Sequence, residues 1–471
     1  MELNRNIIMT DEIKDKWLEK LKPRKNKKKH NCLHFDNKIK DYKHFLPLVS
    51  NSEKIAKHSF LPFIKFNKLK YKYKTVNRER KLIKRDSLKR LKVREIMYAG
   101  HLDTLIYVWY QCLLEKSYNE ALEKNSLSES ILAYRRIEKS EDKRGKCNID
   151  FAHEIFSYIK ESKEECTALT FDIENFFPSL SHEFLKEKWC EILNATKLPP
   201  DHYNIFKSLT RYTYVDLTPW IKKLLRINTP GKRAKAKNLL ENNGFSGEKF
   251  RNLKKAIKNA KINIFDKNPD TKGIPQGSPL SGLLANIYLL DFDKKINKIA
   301  KDAGGIYRRY SDDIIIVCPI EDGKELEEIT RAEISINKDL SKKPYLVIKE
   351  EKTKRISFMK IKNKLIAWKV DKNFEKEHME SLQYLGFEFD GETTFIRSGS
   401  IARFNNQLKY GIAKTKKVYK TGPILKKKLL ERYTPMGKSN FLSYVNKANK
   451  IVPGNRFLKQ LEKGQKELRK I

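Results

Sequence analysis

The sequence predicts an α+β chain. Short apolar runs that meet carboxylates read as buried strands, at Ala168–Phe171 before Asp172 and at Ile314–Val317 after Asp313. Stretches of helical pattern lie on either side, from Leu91 to about Leu132 and from about residue 400 to the end. Neither an internal repeat nor a long low-complexity linker is visible. At 471 residues the chain exceeds one ordinary domain and has ample material for a sizeable core.

Between two short apolar runs, Gly305-Ile306-Tyr307-Arg308-Arg309 before it and Ile314-Ile315-Ile316-Val317 after it, lies Tyr310-Ser311-Asp312-Asp313. Two carboxylates about 4 Å apart repel by roughly 4 kcal/mol at an effective dielectric near 20. A chain tolerates that cheaply only where a cation offsets it or water surrounds it. A solvated hairpin turn is the plain alternative, since Asp is a common turn residue. A third carboxylate, Asp172, stands near the end of its own strand, followed by Ile173-Glu174-Asn175-Phe176-Phe177-Pro178. A helix is expected near Ser181, with Leu185, Trp189 and Leu193 along one face. Hard cations take one or two carboxylates plus substrate phosphates, and two such ions can serve both the attacking and the leaving oxygen.

Between the acidic elements lies Gly273-Ile274-Pro275-Gln276-Gly277-Ser278-Pro279-Leu280-Ser281. The glycines predict a tight loop, and Ser278-Pro279 reads as an N-cap followed by proline at the first helical position. Leu280, Leu283, Leu284 and Ile287 would share a helical face, while Gly282 and Ala285 are small enough for a base pair to approach.

The ordered set, Phe171-Asp172-Ile173-Glu174-Asn175-Phe176-Phe177, then Gly273 to Ser281, then Tyr310-Ser311-Asp312-Asp313, then Gln383-Tyr384-Leu385-Gly386-Phe387, resembles motifs A, B, C and E of the reverse transcriptases. Glu350-Glu351-Lys352-Thr353 occupies the place of motif D, and the resemblance covers roughly residues 95 to 410. It implies a right-hand polymerase with α+β fingers and palm and a helical thumb. By the same resemblance Asp172, Asp312 and Asp313, with the backbone carbonyl of Ile173, would hold two Mg²⁺ ions, Mn²⁺ being an alternative. Phe177 would lie under the sugar and exclude a ribose 2′ hydroxyl, or else be an ordinary core residue beside Phe176. Gln276 and, in the fingers, Arg135 would contact the incoming dNTP. Lys352 would sit near the departing pyrophosphate, or be one more solvated lysine. Tyr310 would lie near the primer terminus, and Leu385-Gly386-Phe387 would form the primer grip. RNA-dependent RNA polymerases share the layout, but they usually carry a second acid in motif A and Gly-Asp-Asp in motif C. Phe177 and Tyr-Ser-Asp-Asp favour a DNA product.

Ala133-Tyr134-Arg135-Arg136-Ile137, then Gly145-Lys146-Cys147-Asn148-Ile149-Asp150-Phe151-Ala152-His153, resembles the fingers of bacterial defence-associated ("unknown group") reverse transcriptases, relatives of retron and group II intron enzymes. The segment from Gly386 to Phe404 has the same character. The Val-Thr-Gly of retron enzymes, an HNH endonuclease, an integrase and a ribonuclease H signature are all lacking. Members of that branch act in anti-phage immunity, often with a dedicated non-coding RNA. Template-independent or protein-primed synthesis, and an RNA-bound defence scaffold, are the alternatives.

The formal net charge is +41, from 100 Lys+Arg against 59 Asp+Glu. A surface this basic implies a polyanionic partner, and RNA with nascent DNA fits better than membrane because no apolar run approaches the ~18 residues of a spanning helix. A homo-oligomer is a further option. The start, Met1 to Asn6, lacks the features of a signal peptide, so a cytoplasmic location is expected. Cys32, Cys112, Cys147, Cys166, Cys190 and Cys318 are scattered, as in a reduced chain. His30, Cys32 and His34 cluster but lack the spacing and fourth ligand of a zinc site.

The expected domains are a basic N-terminal extension at 1–90, fingers at 91–168, a palm at 169–395 and a helical thumb at 396–471. A basic helical insertion is expected within the palm at about 215–265. In the extension, lysines interleave with aromatics from Phe63 to Lys74. That pattern suits RNA binding by stacking, and equally an amphipathic segment packed on the fingers. Helix is expected at 324–340, and strands at Tyr345–Ile348, Lys364–Trp368 and Tyr384–Phe389, the last two completing the palm sheet.

Overall fold

The computed structural model describes residues 11–22, 34, 36, 38–71, 73–76, 79–82, 91–139, 145–162, 164–216, 265–335, 346–417, 422–437, 440–453 and 456–469. The basic run at 24–29, His30, Cys32, Tyr345 and nearly all of the expected insertion at 215–265 lie outside these residues. The chain divides into two compact units, Met1–Asn125 with Asn175–Leu290, and Ser126–Glu174 with Asp291–Ile471.

The first unit is built around the helix His101–Lys124, whose Leu105, Ile106, Tyr107, Trp109, Tyr110 and Leu114 are all buried. The helix Asp11–Leu21 lies against it, and the Trp17 indole N–H donates to the Leu105 carbonyl at 3.1 Å. Beside them, among the described residues, runs a four-stranded sheet in the order Leu91–Tyr98, Phe63–Tyr71, Thr213–Asp216, Asp266–Lys267. The helical pattern expected from Leu91 is thus corrected. Leu91–Tyr98 is a strand, antiparallel to Phe63–Tyr71 from Ile64↔Tyr98 to Tyr71↔Leu91, and the helix begins only after Gly100. β-Branched Val93 and Ile96 suit the ladder, and the Phe63–Tyr71 partner supplies its hydrogen bonds. The helix His182–Ile192 starts where expected, with the Ser181 Oγ accepting from the Phe184 N–H.

Among the described residues the second unit carries a six-stranded sheet. Its order is Lys376–Met379, Lys364–Val370, Lys354–Ile361, Cys166–Asp172, Asp313–Pro319, Ile306–Tyr310, every neighbouring pair antiparallel. Ile314, Ile315, Ile316 and Val317 are at most 1% exposed, so this continuous apolar run is covered on both faces. Ile315 and Val317 share one core with Ile155, Phe156 and Ile159 of the helix Asn148–Glu161. The same core extends to the helices Ser398–Lys417, Gly422–Tyr433, Phe441–Ile451 and Phe457–Arg469 through Phe404, Leu429, Val445 and Phe457.

Lys364–Val370 joins the large sheet as expected, but Tyr384–Phe389 does not. It turns back at Leu385-Gly386, both at positive φ, into a separate sheet of Leu382–Tyr384, Phe387–Phe389 and Thr394–Ile396. Two consecutive left-handed residues make a hairpin turn and preclude one continuous strand. At Leu346–Ile348 only an isolated bridge forms, Ile348 with Ile173. The helix Gly323–Ile334 agrees with the pattern there. Among the described residues no helix is long and apolar enough to cross a membrane.

Candidate active site

The sheet register of the second unit sets the carboxylates. Asp172 ends the Cys166–Asp172 strand, and its cross-strand partner is Asp313, the first residue of Asp313–Pro319. Opposed residues of an antiparallel pair have Cβ atoms about 4.5–5.5 Å apart, and like charges there are destabilising. The Ile173 N–H donates to the Asp312 carbonyl at 3.1 Å, which joins the chain after the first carboxylate to the turn that carries the third. Asp172 and Asp312 are half-buried and Asp313 is exposed, so water or a ligand reaches the charged end.

Beneath the turn lies a device that sequence reasoning missed. Arg309 and Asp293 are fully buried, and the guanidinium grips the carboxylate with two bonds, Nε to Oδ1 at 2.7 Å and Nη2 to Oδ2 at 2.6 Å. The Tyr307 hydroxyl donates to the same Asp293 Oδ1 at 2.6 Å. Burial pushes the Asp293 carboxyl up while the guanidinium pulls it down. Such a fork is the geometry of a charge-assisted pair. The third guanidinium nitrogen, Nη1, reaches the Ser311 carbonyl at 3.2 Å, inside the turn. Ser311 is left-handed at φ 62°, and its Oγ meets the Tyr134 hydroxyl at 2.9 Å. The only sequence signal was an arginine in an apolar strand, which carries no hint of its partner in the helix Leu290–Asp302.

The other expected residues of this unit fall as follows. Lys352, in the short turn Glu350–Lys352, donates from Nζ to Asp172 Oδ2 at 3.0 Å, so a cation already faces that carboxylate. Neighbouring Lys349 pairs with Glu174 at 2.7 Å, which pushes the ammonium up. Tyr310 is the register partner of Asp313, and burial pushes its phenol up. Arg135 sends Nη1 to the Ser128 and Ile131 carbonyls at 2.5 and 3.4 Å, which pins the 128–135 loop. Leu385 and Gly386 make the hairpin turn, Phe387 is 1% exposed, and the Gly386 carbonyl accepts from the Arg397 N–H at 3.0 Å.

Phe177 and Gln276 belong to the first unit. Phe177 is 8% exposed, its ring centroid 5.6 Å from that of Phe176, and its carbonyl accepts from the Ile274 N–H. Gln276 is half-buried, and its carbonyl accepts from the Met97 N–H at 2.8 Å, which fastens the loop to the Leu91–Tyr98 strand. Gly277, at φ +121°, could carry no side chain there, because a Cβ would stand 2.6 Å from the Met97 carbonyl. The expected cap is corrected. The helix is Ser281–Tyr288, Ser278 lies in the preceding turn, and the Ser281 Oγ donates back to the Pro275 carbonyl at 2.7 Å. Proline at 279 therefore stiffens the turn before the helix.

Among the described residues no three His, Cys, Asp or Glu side chains gather into a ready-made metal cage. What exists is an open, oxygen-only donor set, with Asp172 opposite Asp313 and an ammonium on Asp172. That chemistry fits Mg²⁺, which retains water and uses few protein carboxylates together with substrate phosphates.

A family model described as reverse transcriptase (RNA-dependent DNA polymerase) matches residues 110–389. No curated protein matches. Among solved structures, apo telomerase of Candida tropicalis truncated from its C-terminal domain is 13% identical with a TM-score of 0.38, over 74% of this chain and 59% of that one. Telomerase of Candida albicans, solved with a fragment of telomeric RNA, is 14% identical with a TM-score of 0.35, over 90% and 61%. The chain thus spans about six-tenths of the length of these structures. The family match covers more than half of the chain, including both carboxylate strands and the loop between them, and the protein belongs to the reverse transcriptase (RNA-dependent DNA polymerase) family.

Proposed function

We propose that the protein is an RNA-directed DNA polymerase that adds dNTPs to a 3′ hydroxyl at Asp172, Asp312 and Asp313. The observation that carries this reading is the register pair Asp172↔Asp313 at the solvent-reached end of a buried sheet, in a chain of this family. A purely structural role gives no reason to oppose two like charges, whereas a divalent cation turns the repulsion into binding. Bound there, Mg²⁺ would activate the 3′ hydroxyl and stabilise charge on the leaving pyrophosphate. Asp172 and Asp313 would face it from adjacent strands and Asp312 from the turn. Lys352, freed from Asp172, would stand where the pyrophosphate leaves. Leu385-Gly386-Phe387 would hold the primer, with Gln276 and Phe177 toward the incoming nucleotide.

The partners of this reading are an RNA template and nascent DNA, in keeping with the net charge of +41. The fingers segments Ala133–Ile137 and Gly145–His153 support a defence-associated member working with a dedicated non-coding RNA. The test is extension of a defined RNA–primer duplex, and of RNA co-purified with the protein, with Mg²⁺ and labelled dNTPs beside Asp312→Asn. A product complementary to the RNA, lost in the variant, is expected. Product of random sequence, or synthesis retained by Asp312→Asn, would overturn the templated or the carboxylate part respectively.

A further inference from the structure

The primer-grip turn is held by a residue outside the expected site. Leu385 stands at φ 43° and Gly386 at φ 95°. A left-handed leucine costs roughly 1–2 kcal/mol and persists where its surroundings over-determine it. Asn148 supplies such a surrounding. Its side-chain amide has two N–H donors, and Nδ2 sends one to the Leu385 carbonyl at 3.0 Å and one to the Tyr444 hydroxyl at 2.9 Å. Leu385 is the turn itself, while Tyr444 lies on the helix Phe441–Ile451. One side chain thus ties the turn to that helix.

Both ends of this link are fixed. Asn148 opens the helix Asn148–Glu161, where Asp150 accepts from the Cys147 N–H at 2.8 Å and pairs with Lys139, and where Ile149 and Ala152 are buried. The Tyr444 ring lies 6.1 Å from that of Phe387, at 32° between planes, and Lys447 of the same helix reaches the Cys147 Sγ at 3.3 Å. Gly386 completes the arrangement. A Cβ there would come within 4.0 Å of both the Asn148 Nδ2 and the Tyr444 hydroxyl, so the backbone of the turn passes close under the bond pair.

We infer that Asn148 is a positioning residue, which sets the Leu385-Gly386 turn against the Phe441–Ile451 helix so that a primer end meets both in one register. The inference rests on the reading of Leu385-Gly386-Phe387 as the primer grip. Its effect belongs in primer binding and in the number of nucleotides added per encounter, more than in the chemical step at Asp172 and Asp313.

Three variants separate the parts. Asn148→Ala removes both bonds. Asn148→Asp places a carboxylate against the Leu385 carbonyl, two acceptors face to face, yet still accepts from Tyr444. Tyr444→Phe keeps the Leu385 bond alone. Two hydrogen bonds of ordinary strength correspond to about a tenfold change in binding. Asn148→Ala and Asn148→Asp should raise the primer KM about tenfold and shorten products, with kcat at saturating primer lowered less than threefold. Tyr444→Phe should do less, and should add nothing to Asn148→Ala. Hydrogen exchange on the nucleic-acid-free protein should quicken over 384–389 in both Asn148 variants with Tm held within about 2 °C. Unchanged primer KM and unchanged exchange over 384–389 would overturn the inference. So would a lowered Tm with faster exchange throughout Asn148–Glu161, which would leave Asn148 as a helix-start residue only. If the wild-type protein extends no primer, the polymerase reading fails, and the exchange experiment still decides whether Asn148 holds the turn.

Discussion

Two charge pairs of the second unit, one joining a helix to the strand Ile306–Tyr310 and one facing across two neighbouring strands, have opposite fates. Asp293 and Arg309 are opposite in sign, wholly buried and joined by two short bonds. Asp172 and Asp313 are alike in sign, face each other at the sheet end and are open to solvent. At about 5 Å and an effective dielectric near 20, the second pair repels by roughly 3 kcal/mol, reduced further by exposure. Folding alone would select against it. The comparison teaches that the protein buries and neutralises one pair, and keeps the other solvent-reached with an exchangeable lysine on Asp172, at the place where the proposed function puts a cation and phosphates. Arg309 joins the two pairs through the Ser311 carbonyl.

The largest expected break is at the open pair. Asp313→Asn removes the like charge and, on the proposed reading, one oxygen that would face the metal, so nucleotide addition should fall at least about 10³-fold, the scale of losing several kcal/mol of transition-state stabilisation. Stability should hold or rise by up to about 1 kcal/mol, because a repulsion has gone. Single-nucleotide extension with paired urea unfolding reads both numbers. A variant that is both inactive and clearly destabilised would mean that the carboxylate supports the fold instead.

Next is the closed pair. Arg309→Met strands a buried carboxylate and should cost about 3–5 kcal/mol in unfolding free energy. The double change Arg309→Met with Asp293→Leu should recover a large part of that cost, since well-packed apolar residues often replace a buried ion pair without loss. It should not recover activity, because the Arg309 bond to the Ser311 carbonyl is then gone. Recovery of both would reduce the arginine to a packing role.

These pairs also mark what could be read from the chain alone. The Asp172 strand, the Asp312-Asp313 turn and the helix after Ser181 were legible because short apolar runs, a carboxylate and a capping serine are local signals. The right-hand reverse transcriptase fold followed from the order of the motifs. Leu91–Tyr98 was misread because its strand is decided by pairing with Phe63–Tyr71, a partner about thirty residues away in sequence. Tyr384–Phe389 was misread as one strand of the palm sheet because a leucine gives no warning of a left-handed φ. Asp293 with Arg309, and Asn148 with Leu385, were invisible for the same reason, since each is a contact between distant segments.

The pairing logic extends to a neutral group in the first unit. His202 is 3% exposed, its Nδ1 accepts from the Trp189 indole N–H at 3.2 Å, and burial pulls its pKa down to about 4 against the charge of Asp201. The folded value lies below the unfolded value of about 6.5, so the unfolded chain binds the extra proton between them. Stability from this group is therefore full above about pH 6.5 and is lost as pH falls toward 4, by up to about 3 kcal/mol. Urea midpoints at pH 7 and 4.5 should converge less in the wild type than in His202→Gln, which lacks the titration. Equal pH slopes would acquit His202.

The smallest expected effect sharpens the comparison most, because it touches the turn without touching a charge. Tyr134 is 42% exposed at φ 63°, and its hydroxyl meets the Ser311 Oγ at 2.9 Å. Tyr134→Phe keeps the ring and removes that bond, worth about 0.5–1.5 kcal/mol. If the bond helps to fix the turn, activity should fall about three- to fivefold in Tyr134→Phe and equally in Ser311→Ala. The double variant should show no further loss, because both remove the same contact. Additive losses would mean that the two side chains act separately. Then Arg309 alone would tie the buried pair to the open one.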